Sequence, residues 1–140
     1  MGLLNFARAY AEAGARLNTE KLTEGHRDAP VQFLLMHAIE LYLKSFLRLS
    51  GYTVKQLRNH KFAWLAKEAE GNGLVLDDED RYVIEVMVHT DAWSRSRYIE
   101  TGFRVHAAEE ALMHTCLSFD QSVSEVLRKE GHHVRPITWA

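Results

Sequence analysis

His37, Glu40, Lys44 and Arg48 recur at spacings of three, four and four. On a helix that spacing places all four on one stripe. Two chemistries suit such a stripe. One is a solvent-facing surface carrying a Glu40–Lys44 ion pair, worth a few tenths of a kcal/mol. The other is a polar strip facing a cleft or a partner subunit. Spacing alone favours the solvent-facing reading, because exposed i,i+4 pairs are common. Further on, Lys44, Arg48, Lys55, Arg58, Lys61 and Lys67 follow one another with no intervening acid, and His60 sits among them. Arg95, Arg97 and Arg104 form a second basic group, while acids collect between Asp77 and Glu85. An acid-free run is either solvated surface or a local positive patch for phosphate. Any of the aromatic residues Tyr52, Phe62, Trp64, Trp93 and Tyr98 could stack on a base, though such residues are more often core. Phe62, Trp64 and Trp93 read as core instead.

His106, Glu109, Glu110 and His114 fall within nine residues of one predicted helix, with His106–Glu110 and Glu110–His114 both at i,i+4. One face could therefore offer metal ligands. A bundle di-iron site, however, draws Glu-x-x-His from each of two helices. The intact Glu-x-x-His here, Glu130 to His133, sits at a helix end. No metal is expected, and no cofactor. Cys116 lies in the apolar-leaning stretch Leu112–Leu117 and reads as a buried, inert thiol. No Gly-rich phosphate loop, G-x-S-x-G or H-E-x-x-H occurs.

The elements that must carry these residues follow from composition and punctuation. The chain has 140 residues, 46% apolar and 26% charged, with a formal charge of −2. That is one globular domain and not a general nucleic-acid coat, which needs a large positive excess. A single cysteine excludes an intrachain disulfide and a Cys-rich zinc site. Arg8 and Glu12 interrupt the apolar N-terminal stretch, so it reads as a helix and not a secretory signal. Phe6 breaks the myristoylation pattern. No apolar run approaches the roughly 18 residues of a membrane span. A cytoplasmic, membrane-free protein is expected.

Two prolines and eight glycines leave room for long helices. Helices are predicted over Leu3–Leu22, Pro30–Leu49, His60–Glu70, the acidic start at Asp77 through about Trp93, and about Phe103–Lys129. Gly51, the Gly71–Gly73 pair and Gly131 are the stops. Ser94 to Thr101 reads as a polar connector. The second helix is apolar nearly all round and should be central. The expected fold is all-α: an antiparallel bundle of about five helices over residues 1–130, with a tail at 131–140.

The stretches HAIELYLKSFLRLSG and NHKFAWLAKEAEGNGL, with the later Arg-Tyr pair, resemble the HEPN domain family (higher eukaryote and prokaryote nucleotide-binding). The elements of the resemblance are Glu40 with Lys44 one turn on, Gly51, His60 opening a short helix, and Arg97-Tyr98. They span roughly residues 30 to 100, about half the chain. The resemblance implies an antiparallel helical bundle. It also implies nucleotide or RNA binding, pairing as a homodimer, and a setting in a prokaryotic toxin–antitoxin or defence-type system or beside a nucleotidyltransferase.

HEPN-like ribonucleases are metal-independent and carry Arg, four to six residues, then His. Arg clamps the phosphate and His moves the proton of the attacking 2′-hydroxyl. After Arg95 and Arg97 the next His is His106, too distant, and Arg104 is too close to it. Arg128 to His133 has the spacing but straddles Gly131. An atypical branch is therefore expected. In it Glu40 orients Arg97, and Lys44, His60, Lys61, Arg95 and Arg97 supply a positive pocket with Tyr98 beside it. The alternatives are a ribonuclease whose site is completed across a dimer, and a non-catalytic interaction module. The module would use Trp139 and the Leu112/Phe119/Val126 line as its interface.

Overall fold

The structure is a computed structural model that describes residues 2–19, 28–58, 61–101 and 109–139, giving the backbone alone at 28–29 and 90–101. Six helices make up its regular structure: α1 (Gly2–Thr19), α2 (Asp28–Leu49), α3 (Val54–Leu57), α4 (Phe62–Gly71), α5 (Asp78–Thr101) and α6 (Glu109–Lys129). No strand occurs among the described residues, so the fold is the all-α bundle that the punctuation predicts. α2 is its centre and packs on α1, α6, α4 and α3, while α5 packs on α6 and α4. Leu35, Ala38, Ile39, Tyr42, Leu43 and Leu47 of α2 are all fully buried. Burying an aliphatic side chain of this size is worth roughly 1.5–3 kcal/mol, which is why the most apolar helix takes the middle.

Two helix ends show how local chemistry sets the boundaries. Gly51, at φ 105°, follows α2, with its N–H on Arg48 O at 3.2 Å and the Tyr52 N–H on Leu47 O at 3.0 Å. Gly131, at φ 91°, repeats this after α6, with His132 N–H on Leu127 O at 3.0 Å. Both are left-handed caps that satisfy otherwise orphaned carbonyls.

Several boundaries differ from expectation. α4 starts at Phe62, with Lys61 as its extended N-cap, and not at His60. The connector after Gly51 contains α3, one helical turn started by a reciprocal cap: Gln56 N–H donates to Thr53 Oγ1, and Thr53 N–H donates to Gln56 Oε1. Thr-x-x-Gln is a capping box, a signal the sequence carried. Ser94 to Thr101 is not a connector, because α5 continues through it. Neither Pro nor Gly interrupts that stretch, so nothing stops propagation. α2 begins at Asp28, which leaves Pro30 within its first turn, where no intrahelical N–H is lost. Residues 20–22 and 103–108, assigned to helices from sequence, lie outside the described residues.

α1 packs on α2 through a stripe of small side chains. Leu4, Ala7, Ala11, Gly14 and Ala15 are buried, at helical spacing. A Cβ at Gly14 would stand 2.8 Å from Leu35 Cδ2 and 2.9 Å from Leu35 Cγ. Gly14 is thus the point of closest approach and not a flaw in the helix. Gly14→Ala gains up to about 1 kcal/mol of helix propensity, but overpacking a filled core costs typically 1–3 kcal/mol. The substitution is expected to lower the urea midpoint. A raised midpoint would show that Leu35 repacks freely.

Candidate functional site

The stripe on α2 does not face solvent along its length. Lys44 Nζ stands 3.3 Å from Glu40 Oε2, and the two side chains are only 9% and 19% exposed. The predicted i,i+4 pair is present, but the solvent-facing placement is corrected: packing around α2 covers its middle. One turn earlier, His37 is half-buried, edge-on to Tyr10 at 4.5 Å between ring centroids and stacked on Phe33 at 6.0 Å. Arg48, at the end of the stripe, is exposed and donates to Tyr52 O at 2.9 Å.

Beyond Lys44 the acid-free run emerges onto the surface. Arg48, Lys55, Arg58, Lys61 and Lys67 are all exposed. They lie at the end of α2, on α3, at the N-cap of α4 and along α4. Of the aromatic residues nearby, Phe62 is buried and Trp64 is half-buried against Tyr52, edge-on at 6.0 Å. Tyr52 is half-buried and donates its hydroxyl to Glu68 at 2.8 Å. Of the remaining sequence candidates, Arg95, Arg97 and Tyr98 belong to α5, with only their backbone described. His60 lies outside the described residues. The structure therefore brings Glu40 and Lys44 together inside the bundle and sets Lys61 on its surface.

Two polar clusters have partners remote in sequence. The first centres on Asp120 of α6. Arg8 of α1 clamps it with two nitrogens, Nε at 2.8 Å and Nη2 at 2.9 Å, and the Tyr42 hydroxyl donates to it at 2.8 Å. Ser124 adds a hydroxyl at 3.2 Å. Arg8 also donates to Arg135 O at 2.8 Å, which ties the C-terminal segment to α1. Its hydrogen bond to Asp120 holds the Arg8 guanidinium charged, its pKa raised further above the ordinary arginine value. Burial, with Asp120 adjacent, pushes the Tyr42 phenol far up, so it stays a donor.

The second cluster joins the start of α5 to α6. Asp77 and Asp80 form a reciprocal cap: Asp80 N–H donates to Asp77 Oδ1 at 2.7 Å, and Asp77 N–H donates to Asp80 Oδ2 at 3.2 Å. The acids thus sit where the helix dipole favours them. Buried Asp80 also accepts from Thr115 Oγ1 at 2.9 Å and Ser118 Oγ at 2.8 Å. His114 Nε2 lies 2.7 Å from Asp77 Oδ2, and its Nδ1 lies 3.6 Å from Glu79. One donor atom each from Asp77, Asp80 and His114 falls within 4.8 Å of the others, a spacing a metal ion can bridge. Both oxygens of Asp80 and the cap oxygen of Asp77 are, however, already engaged. The ligand face weighed from sequence does not form in the same way: His114 turns toward α5, Glu110 is exposed, and His106 lies outside the described residues.

The hydrogen bond from His114 lowers the Asp77 pKa further, after the backbone N–H of Asp80. The same bond to Asp77 raises the His114 pKa above its usual 6.5, assisted by Glu79 and Asp80. A raised folded pKa means stability present in full below the unfolded value and lost as pH rises through the folded one. The two groups are 40% and 53% exposed, so screening keeps the contribution below about 1 kcal/mol. Urea unfolding should show stability falling from about pH 6 upward, and His114→Gln should flatten that slope. An unchanged slope in the variant would assign the pH dependence elsewhere.

Cys116 is fully buried, with its thiol 3.7 Å from Leu35 O and its pKa pushed up by burial. It is the unreactive thiol its apolar surroundings imply. Leu112 and Phe119, weighed as interface residues, are each 1% exposed and belong to the core. Trp139 is likewise half-buried against that core, and not exposed. α6 turns this face inward because α2 covers it.

The chain matches no family model, no curated protein and no solved structure. No helix of the described residues is long and apolar enough to cross a membrane.

Proposed function

We propose that this chain is an RNA- or nucleotide-binding helical protein of the HEPN type. The observation that carries the reading is the run Arg48, Lys55, Arg58, Lys61 and Lys67, five exposed cations within twenty residues that hold no acid, in a chain whose total charge is negative. Local charge of one sign attracts a polyanion whatever the net balance. Glu40 and Lys44 form a largely buried ion pair on α2, with Lys44 one turn before Arg48. Arg97 and Tyr98 are the further contacts that the resemblance assigns, and Arg95 is the cation beside them in sequence. The same resemblance supports a homodimer in a toxin–antitoxin or defence-type system, with a nucleotidyltransferase or antitoxin as partner, and the single cysteine and interrupted N-terminal apolar stretch favour a cytoplasmic setting.

The test is incubation of metal-free protein with labelled single-stranded RNA, following binding and cleavage over a salt series. Binding that weakens with salt and with Arg97→Ala, and leaves the RNA intact, is the expected result. Cleavage abolished by Arg97→Ala would instead reveal a composite ribonuclease site. A second reading, a protein interaction module, rests on Phe6 and Phe33, which are 63% and 66% exposed on the paired helices α1 and α2. Neither binding nor cleavage of RNA would move the weight to it.

A further inference from the structure

A cavity of about 580 Å³ runs along α6, between the start of α5 and the C-terminal segment. That volume is within the range of small-molecule sites. Its apolar walls are Leu117, Pro136 and Ile137, and its polar groups include Gln121 and Arg128. The charges around it are unequally matched. Arg8 is spent on Asp120, and Asp77 on His114. Ser118 and Ser124 already donate their hydroxyl protons to Asp80 and Asp120, and Ser124 also accepts from Arg8 Nη2 at 3.3 Å, so neither has a proton left to give. Arg128 donates through Nη2 to Val134 O at 3.1 Å and has no carboxylate within ion-pair reach among the described residues. Arg128, an exposed residue of the cavity lining, therefore has N–H groups left to give and no ion-pair partner among the described residues, whereas the lining carboxylates of Asp77 and Asp120 are already paired. Buried Val134 anchors the chain just before Pro136 and Ile137, so the wall those two residues make is held in place.

We propose that this cavity is a binding site for a small organic anion with an apolar body. Its charged group is held by Arg128 and its body lies between Leu117 and Ile137. Guanidinium matches the geometry of both carboxylate and phosphate, and the apolar walls reward a hydrocarbon or aromatic remainder. The site is distinct from the cationic surface on α3 and α4, and does not depend on RNA binding.

The probe is 8-anilinonaphthalene-1-sulfonate, an anion on an aromatic body, titrated by fluorescence into the full chain. One saturable site is expected, weakened about ten- to hundredfold by Arg128→Gln, the effect of losing a hydrogen bond to a charged group. Leu117→Trp should fill the cavity and abolish the signal. Gln121→Trp, at an exposed wall position, does the same should Leu117→Trp disturb folding. Circular dichroism on each variant separates loss of the site from the dye binding of a loosened fold. Displacement of the dye by benzoate or by phenyl phosphate tells which anionic head fits better, and toluene, which has no charge for Arg128 to hold, should not displace it. Equal affinity in Arg128→Gln would overturn the proposal. So would a signal that survives both tryptophan variants but disappears with Phe33→Ser, which would place the dye on the exposed aromatic surface of α1 and α2.

Discussion

Replacing Asp120 with Ala is expected to cost about 3–5 kcal/mol of folding stability, the range for breaking a buried ion pair from one side. Set against a total of about 5–15 kcal/mol for an ordinary domain, that is a large fraction. The reason lies in what stays behind. Asp120 is 5% exposed and receives two nitrogens of Arg8 and the Tyr42 hydroxyl. Without it, a guanidinium 19% exposed keeps its charge with no carboxylate beside it, and a fully buried phenol has no acceptor. Tyr42→Phe removes one neutral donor together with its need for a partner, so it should cost only about 1 kcal/mol. The penalty should be measured by urea unfolding, alongside limited proteolysis of the segment after Gly131, because Arg8 also holds the carbonyl of Arg135. Loss of protection there in Asp120→Ala would show Arg8 linking α6 to the C-terminal segment. A cost within about 1 kcal/mol would mean that water or a relaxed Arg8 restores what Asp120 provides.

The second large effect concerns the cationic surface. A ligand strand contacting about four of its side chains should show a log–log salt slope near −3, at about −0.7 per phosphate contact for single strands. Affinity then falls roughly fiftyfold between 50 and 200 mM salt. The combined substitution Lys55→Glu, Arg58→Glu, Lys61→Glu and Lys67→Glu should weaken RNA binding by more than about a hundredfold and remove most of the slope. All four positions are exposed, so the fold should survive, as a circular dichroism spectrum will show. Arg48 stays in place because it also holds the carbonyl of Tyr52 at the end of α2. RNA binding of undiminished strength in the quadruple variant would remove this surface from the function, and a shallow slope in the wild type would do the same.

Some of the molecule could be read residue by residue. The helices, the caps at Gly51 and Gly131 and the acids at the start of α5 rest on interactions between residues at most five apart, and such interactions leave a spacing in the sequence, while the centrality of α2 showed as apolar residues nearly all round it. α3 was equally open to reading, through Thr53 and Gln56. The length of α5 was hidden because polar composition resembles a linker even where no residue breaks the helix. The candidate site divides along the same line. The run of basic residues was visible as a run, and exposure of most of it is what charged side chains prefer.

What only the tertiary structure decided are the meetings between remote residues. Arg8 reaches Asp120 across 112 positions, Tyr42 reaches it across 78, and His114 reaches Asp77 across 37. No periodicity encodes these pairs, since they depend on which helix faces lie against one another. Packing likewise turned Gly14 from a weak helix residue into the contact point for Leu35, and took Lys44 with Glu40 out of solvent. By itself the sequence determined that the chain is helical and where its charge gathers, because hydrogen bonding within a helix and charge along the chain are local. Which charges are buried, and which stand beside a cavity, was decided by desolvation, and desolvation belongs to the packed bundle as a whole.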